Sequence, residues 1–145
     1  ALFYAHVGTG LPRLGAADPI ARIGGWREFT RAVEARAGAE RAAVVLAHGY
    51  AATSLLTYYG EGSLPVVQLD ERARWSFEAP PSEALFAASG LAFGAANSGF
   101  GAELAAHFRH VEEIARLPRR TEGTDLETYG LYRVSDPTGP VLEKD

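Results

Sequence analysis

The stretch VVLAHGY, residues 44–50, places a histidine and a glycine directly after an apolar run. A buried strand that leads into His48 and Gly49 and then into a helix is how many serine hydrolases build an oxyanion hole. Such an enzyme also needs a nucleophile in the pattern Gly-x-Ser-x-Gly, and no serine of the chain stands in that pattern. We therefore interpret His48 as the end of a strand and Gly49 as the tight turn into a helix. No hydrolase activity is expected.

The stretch DERARWSF, residues 70–77, combines a carboxylate, two guanidinium groups and two aromatic rings. It follows a short apolar run that is predicted to be a parallel strand, and open α/β sheets bind ligands at the carboxyl ends of their strands. Arginine together with aromatic rings can bind a phosphate or stack on a sugar. The alternative is a solvated loop that Trp75 and Phe77 pin to the surface. Together the two stretches give six candidate ligand-binding residues and no catalytic residue: His48, Tyr50, Asp70, Arg72, Arg74 and Trp75.

Two other patterns fall short of a cofactor or metal site. Gly99 and Gly101 begin like a dinucleotide fingerprint, but the third glycine position is Leu104, whose side chain would obstruct the phosphate. His107 and His110 have helical spacing, yet the predicted helix ends between them, so they do not share a fixed geometry. We predict neither a cofactor nor a metal.

Composition limits the class of protein. A chain of 145 residues is predicted to fold as one domain, and a net charge of -4 argues against a nucleic-acid partner. The chain has no cysteine and no run near the roughly 20 apolar residues of a spanning helix. It also has no methionine, and it opens on an apolar stretch with Phe3 and Tyr4. We expect it to be a piece of a longer protein, with these rings at the interfacial end of an upstream membrane helix.

The elements that must position the candidate residues follow from hydrophobic periodicity and from the glycines and prolines. Strands that alternate with helices predict an α/β fold, a small Rossmann-like layered fold whose mostly parallel central sheet carries an antiparallel C-terminal hairpin. One domain is predicted over residues 23–134, between a linker at 1–22 and a flexible tail at 135–145. Helices are predicted at 26–38, 50–59 and 101–108, and strands at 42–47, 66–69, 84–88, 111–117 and 128–134, the last two joined by a polar loop.

The order of these elements resembles the soluble C-terminal region of bacterial family 39 glycosyltransferases, which are related to dolichyl-phosphate-mannose protein mannosyltransferases. The resemblance covers residues 18–134. Its motifs are Asp18-Pro19, the tetrapeptide GWRE at 25–28, the helix YAATSLLTYY at 50–59, the Arg- and aromatic-rich loop after the second strand, and YGLYR at 129–133. The sequence departs from the family after the first strand, where an acidic residue is common and His48 stands here.

The resemblance implies a membrane enzyme that transfers a sugar from a polyprenyl-phosphate donor, with this domain on the periplasmic face of the bacterial inner membrane. The family's catalytic acidic residue lies in a loop outside this chain. We therefore expect a non-catalytic domain that serves acceptor recognition, regulation or assembly. Its expected partners are the membrane-embedded remainder of the same polypeptide and a glycan or protein acceptor. The alternative is a free-standing small α/β enzyme or ligand-binding module with a site at the strand ends.

Overall fold

The computed structural model describes residues 23–142, so the predicted linker at 1–22 and the last three residues of the predicted tail lie outside the described residues. None of the helices in the described part is long and apolar enough to cross a membrane. Within residues 23–142, two 3-10 turns, at Arg72–Trp75 and Glu83–Ala87, accompany three α-helices and five strands. In chain order these are α1 Trp26–Ala39, β1 Val44–Ala47, α2 Tyr50–Tyr59, β2 Val66–Gln68, β3 Gly90–Ala95, α3 Phe100–His107, β4 Phe108–Thr121 and β5 Thr124–Pro137.

The five strands form one mixed sheet in the order β2-β1-β3-β5-β4. β1 pairs in parallel with both β2 and β3, so that Val45 lies between Val66 and Leu91. β5 then pairs antiparallel with β3 and with β4. The predicted α/β class, with parallel strands at one end of the sheet and an antiparallel C-terminal hairpin at the other, is confirmed.

Both faces of the sheet are covered, because successive side chains of a strand point to opposite faces. On one face α1 and α2 pack against the sheet, and on the other α3 and the turn at Glu83–Ala87 pack against it. All four residues of β1 are buried, as expected for a central strand. Trp26, Phe29 and Val33 are at most 4% exposed, which confirms that they attach α1 to the sheet.

The predicted strand at residues 84–88 is wrong. Those residues form a 3-10 turn, which begins where the Ser82 hydroxyl accepts a hydrogen bond from the Ala84 amide at 3.3 Å. The strand lies further along the chain and is β3. Its residues Leu91 and Phe93 face α1 and α2, and the alternate residues Gly90, Ala92 and Gly94 face the side of α3. The small residues are required by close packing, since a Cβ on Gly94 would lie 2.5 Å from Cδ1 of Phe100.

The C-terminal hairpin is confirmed, but it is longer than predicted. The polar segment 118–127 is not a loop; it continues β4 and β5, which are joined by the two residues Glu122 and Gly123. Both have positive φ, 46° and 78°, as the tight turn of a twisted hairpin requires. β5 also runs past Ser135, and Val141 is 1% exposed. The predicted tail is therefore packed against the domain as far as the structure describes it.

A buried arginine ties the hairpin to the start of α1. Arg119 is 4% exposed, and its guanidinium lies 4.8 Å from the centre of the Trp26 ring. It donates a hydrogen bond to the Gly24 carbonyl at 2.5 Å and lies 3.7 Å from the Glu127 carboxylate. The Tyr129 hydroxyl donates to that same carboxylate at 2.6 Å. Burial, and then this carboxylate, raise the pKa of Tyr129 above its ordinary value, so the phenol stays protonated.

Candidate functional site

The carboxyl ends of β1, β2 and β3 lie side by side, because the three strands are adjacent and parallel. His48 follows β1, Asp70 lies two residues after β2, and α3 begins five residues after β3. The segments that leave these strands therefore meet at one end of the sheet, where open α/β folds hold ligands. We call the group His48, Tyr50, Asp70, Arg74 and Glu103 the carboxyl-edge site.

A histidine between two carboxylates forms the centre of this site. The Nε2 atom of His48 lies 4.0 Å from Oδ2 of Asp70 and 3.6 Å from Oε2 of Glu103. The three side chains are 33%, 24% and 42% exposed, so solvent reaches each of them. The imidazole also packs on the buried Phe100 ring, at 5.0 Å between centroids. This contact holds it at the carboxyl ends of the parallel strands.

The main chain fixes the orientation of Asp70. The Gly49 amide donates to Oδ1 of Asp70 at 3.0 Å, which leaves Oδ2 facing His48. Gly49 has φ 88° and ψ 140°, a conformation that residues with a side chain rarely adopt. The Gly49 amide is therefore bonded to the carboxylate of Asp70. In the described part of the chain, no hydrogen bond joins His48 to a hydroxyl group. The geometry gives no support to a serine hydrolase.

Tyr50 supplies an accessible aromatic ring beside this cluster. It is 43% exposed although it begins α2. One neighbour is the Trp75 ring, 5.5 Å away, and another is the Arg74 guanidinium, 5.4 Å from the Tyr50 centroid. Arg74 also pairs with Glu71 at 2.9 Å, so its charge is largely balanced.

Trp75 and Arg72 do not join the carboxyl-edge site. Trp75 is 9% exposed, contacts the Tyr50 and Phe77 rings, and donates its indole N–H to the Gln68 side chain at 2.6 Å. Little of its ring is open to a ligand, so Tyr50 is the ring that the site offers. Arg72 instead donates to the Gln68 carbonyl at 3.3 Å. Of the two predicted anchors of the loop, only Trp75 is buried, since Phe77 is 73% exposed.

Sequence reasoning missed Glu103 and Gln68. Glu103 stands in the first turn of α3, where an acidic side chain suits the helix dipole. Its proximity to His48 depends on β1 and β3 being neighbours, and β3 had been placed six residues too early. Gln68 lies near the end of the predicted strand at 66–69 and ends β2 in the structure, and a polar residue near a strand end gives no signal of burial. The signal available for Glu103 was the position of its helix directly after a strand.

The formal charge around the cluster is slightly negative. Asp70, Glu71 and Glu103 contribute three carboxylates against the two guanidinium groups of Arg72 and Arg74. No group of three or more histidine, aspartate and glutamate side chains within residues 23–142 is arranged to hold a metal ion. The site therefore offers mainly hydrogen-bond acceptors, one imidazole and one ring face.

Comparisons of the chain with protein families, with curated proteins and with solved structures found no match. Neither the fold nor the carboxyl-edge site is thereby linked to a characterised protein. Any assignment of function rests on the sequence and on the geometry of the described residues.

Proposed function

We propose that this chain is a non-catalytic domain of a membrane glycosyltransferase and that its carboxyl-edge site binds a neutral glycan of the acceptor. The observation that carries the proposal is the grouping of Asp70 and Glu103 around His48, beside the exposed ring of Tyr50. Sugar hydroxyls donate hydrogen bonds, and the two carboxylates are acceptors only. Tyr50 gives the apolar face of a sugar ring a surface on which to pack.

Charge favours a neutral glycan over a phosphorylated one. A phosphate would meet the carboxylates of Asp70 and Glu103, and like charges at contact distance repel. Arg74, the nearest guanidinium to Tyr50, already has Glu71 as its partner. Binding of the lipid-phosphate donor is therefore assigned to the membrane-embedded remainder of the polypeptide, and acceptor recognition to this domain.

The finer fold assignment belongs to the same proposal. The parallel strands lie in the order 2-1-3, which is how a flavodoxin-like doubly wound sheet begins, with helices on both faces. We regard the domain as a small relative of such layered folds in which a hairpin replaces the later parallel strands. The periplasmic location rests on the resemblance to family 39 glycosyltransferases alone.

The test is a titration of the purified domain with neutral oligosaccharides and, separately, with polyprenyl-phosphate head-group analogues. We expect weak, saturable binding of a neutral glycan that Tyr50→Ala, Asp70→Asn and Glu103→Gln each reduce. Glu83→Gln, which removes an exposed carboxylate far from the site, is the matched control and should change nothing. Binding of the phosphorylated analogues alone, or equal affinities in all variants, would contradict the proposal.

The second candidate is a free-standing enzyme that uses His48 and its carboxylates as an acid–base pair. The short distances from Nε2 to Asp70 and Glu103 are what favour it. The reading frame upstream of Ala1 separates the two candidates, because it encodes several hydrophobic spans in the first case and a nearby start codon in the second. Turnover of an aryl ester that disappears in His48→Ala would also decide for the enzyme.

A further inference from the structure

A cavity of about 200 Å³ lies at the outer edge of β2. We call it the β2-edge cavity. β2 is the terminal strand of the sheet, and the cavity lies between that strand and the segment that follows the turn at Arg72–Trp75. Gln68, Arg72, Trp75, Glu78 and Pro81 are among its lining residues. It is separate from the cluster around His48, and the neutral-glycan proposal does not involve it.

Gln68 contributes a buried donor to this cavity. It is 1% exposed, and its Oε1 accepts the hydrogen bond from the Trp75 indole at 2.6 Å. An indole N–H can only donate, so this bond fixes which end of the amide is oxygen. Nε2 must then point away from Trp75, and it has no hydrogen-bond partner within the described residues. Buried donors normally have an acceptor, so we expect an acceptor beside the Nε2 amino group of Gln68.

Arg72 adds a positive charge at the same edge. Pro65 and Leu69 make their backbone hydrogen bonds with β1, so the alternating backbone groups of Val66 and Gln68 face outward. Arg72 donates to the outward carbonyl of Gln68 at 3.3 Å, which places the guanidinium over the open edge. A guanidinium has five N–H donors, and this bond uses one of them.

We propose that the β2-edge cavity binds a small organic monocarboxylate. The carboxylate accepts from Nε2 of Gln68 and from the guanidinium of Arg72, and the organic part packs against Trp75 and Pro81. The cavity, at about 200 Å³, suits a short-chain or single-ring acid. Glu78 disfavours a dianion such as phosphate.

The side-chain carboxamide of Gln68 can be followed by NMR as a probe of this site. Gln68 is the only glutamine of the chain and Asn97 its only asparagine, so a ¹⁵N spectrum contains two side-chain carboxamides. We expect acetate, propionate or benzoate to shift the Gln68 amide and the Trp75 indole signals saturably. The exposed Asn97 amide is the internal control and should not move, and sodium chloride at equal ionic strength should move neither.

The variants separate specific binding from general anion effects. Arg72→Ala should weaken carboxylate binding about tenfold or more, because it removes a charged hydrogen-bond donor. Arg72→Lys should restore part of the loss, and Arg31→Ala, which removes an exposed guanidinium of α1, should leave the affinity unchanged. The matching neutral amide, acetamide, should bind more weakly than acetate.

Three outcomes would overturn the proposal. The first is no saturable shift of the Gln68 amide up to about 0.1 M carboxylate, where even a millimolar Kd would be saturated. The second is an equal response to inorganic phosphate. The third is an affinity that Arg31→Ala lowers as much as Arg72→Ala does. Failure of neutral glycans to bind would leave these results unaffected, so the two proposals are tested independently.

Discussion

Gly94→Ala is expected to destabilise the domain and to loosen the carboxyl-edge site together. A Cβ at this position would lie 2.5 Å from Cδ1, 2.7 Å from Cγ and 3.0 Å from Cβ of Phe100. Normal contacts between carbon atoms are about 3.5–4.0 Å, so the overlap is roughly 1 Å. Rotation of the ring does not relieve it, because Cβ of Phe100 is itself too close. Phe100 begins α3, so the helix that carries Glu103 must move.

The size of the effect follows from two opposing contributions. Overpacking of a filled core typically costs about 1–3 kcal/mol, whereas glycine to alanine in a strand returns about 0.5–1 kcal/mol of backbone entropy. We expect the free energy of unfolding to fall by about 1–2 kcal/mol, which for a domain of this size lowers Tm by about 3–10 °C. The distance between Glu103 and His48 should change too, so neutral-glycan affinity should fall.

Urea and thermal denaturation of the parent and of four variants measure this. Gly38→Ala is the matched control, since its new Cβ has no atom within 4 Å and lies in α1; it should stabilise the domain. Phe100→Ala removes Cδ1 and Cγ, the two atoms that would lie nearest to the new Cβ, so the double variant with Gly94→Ala should cost less than the sum of the single changes. Strict additivity, or a Gly94→Ala protein at least as stable as the parent, would refute the packing argument.

Three further outcomes are expected. Gly49→Ala should lower the free energy of unfolding in urea by about 1–3 kcal/mol although its Cβ meets no atom within 4 Å, because φ 88° is strained for alanine; an unchanged midpoint would contradict this. Stability should fall as pH rises above about 10, since the unfolded Tyr129 phenol then ionises while the folded one, with its raised pKa, does not; Tyr129→Phe should flatten that dependence in pH-scanned denaturation. Arg119→Lys should lower Tm, because lysine cannot reproduce the planar contact with Trp26, whereas Arg120→Lys on the exposed neighbour should not; equal Tm values would show that the buried guanidinium is replaceable.

Strong local signals made much of the fold predictable. α2 has the predicted bounds, 50–59, because glycines stand on both sides of an unbroken helical run. β1 was recognisable as a continuous apolar run of strand length. β3 was not, because Gly94 is required by the packing of α3 and Gly90 is crowded by Val44 and Val134 of the adjacent strands, and sequence periodicity contains neither set of neighbours.

The candidate site was predictable in part, for a related reason. His48 and Asp70 were found because both directly follow strands that were recognised. Glu103 depends on the adjacency of β1 and β3, which is a property of the sheet and of no local segment. Arg74 and Arg72 lie on opposite sides of the loop after β2. The side that each takes depends on the hydrogen bond from the Trp75 indole to the Gln68 side chain.

The position of β5 in the sheet has a consequence for the order in which the domain folds. β5 is the last of the five strands in the sequence, yet it lies between β3 and β4 and so connects the three parallel strands to β4. The hairpin of β4 and β5 is local and can form on the microsecond timescale by itself. Closure of the sheet must wait until residues 124–137 have been synthesised, because β3 has no other partner on that side. A nascent chain halted before that point would hold β3 with its pairing groups exposed, and such strands are prone to associate with other chains.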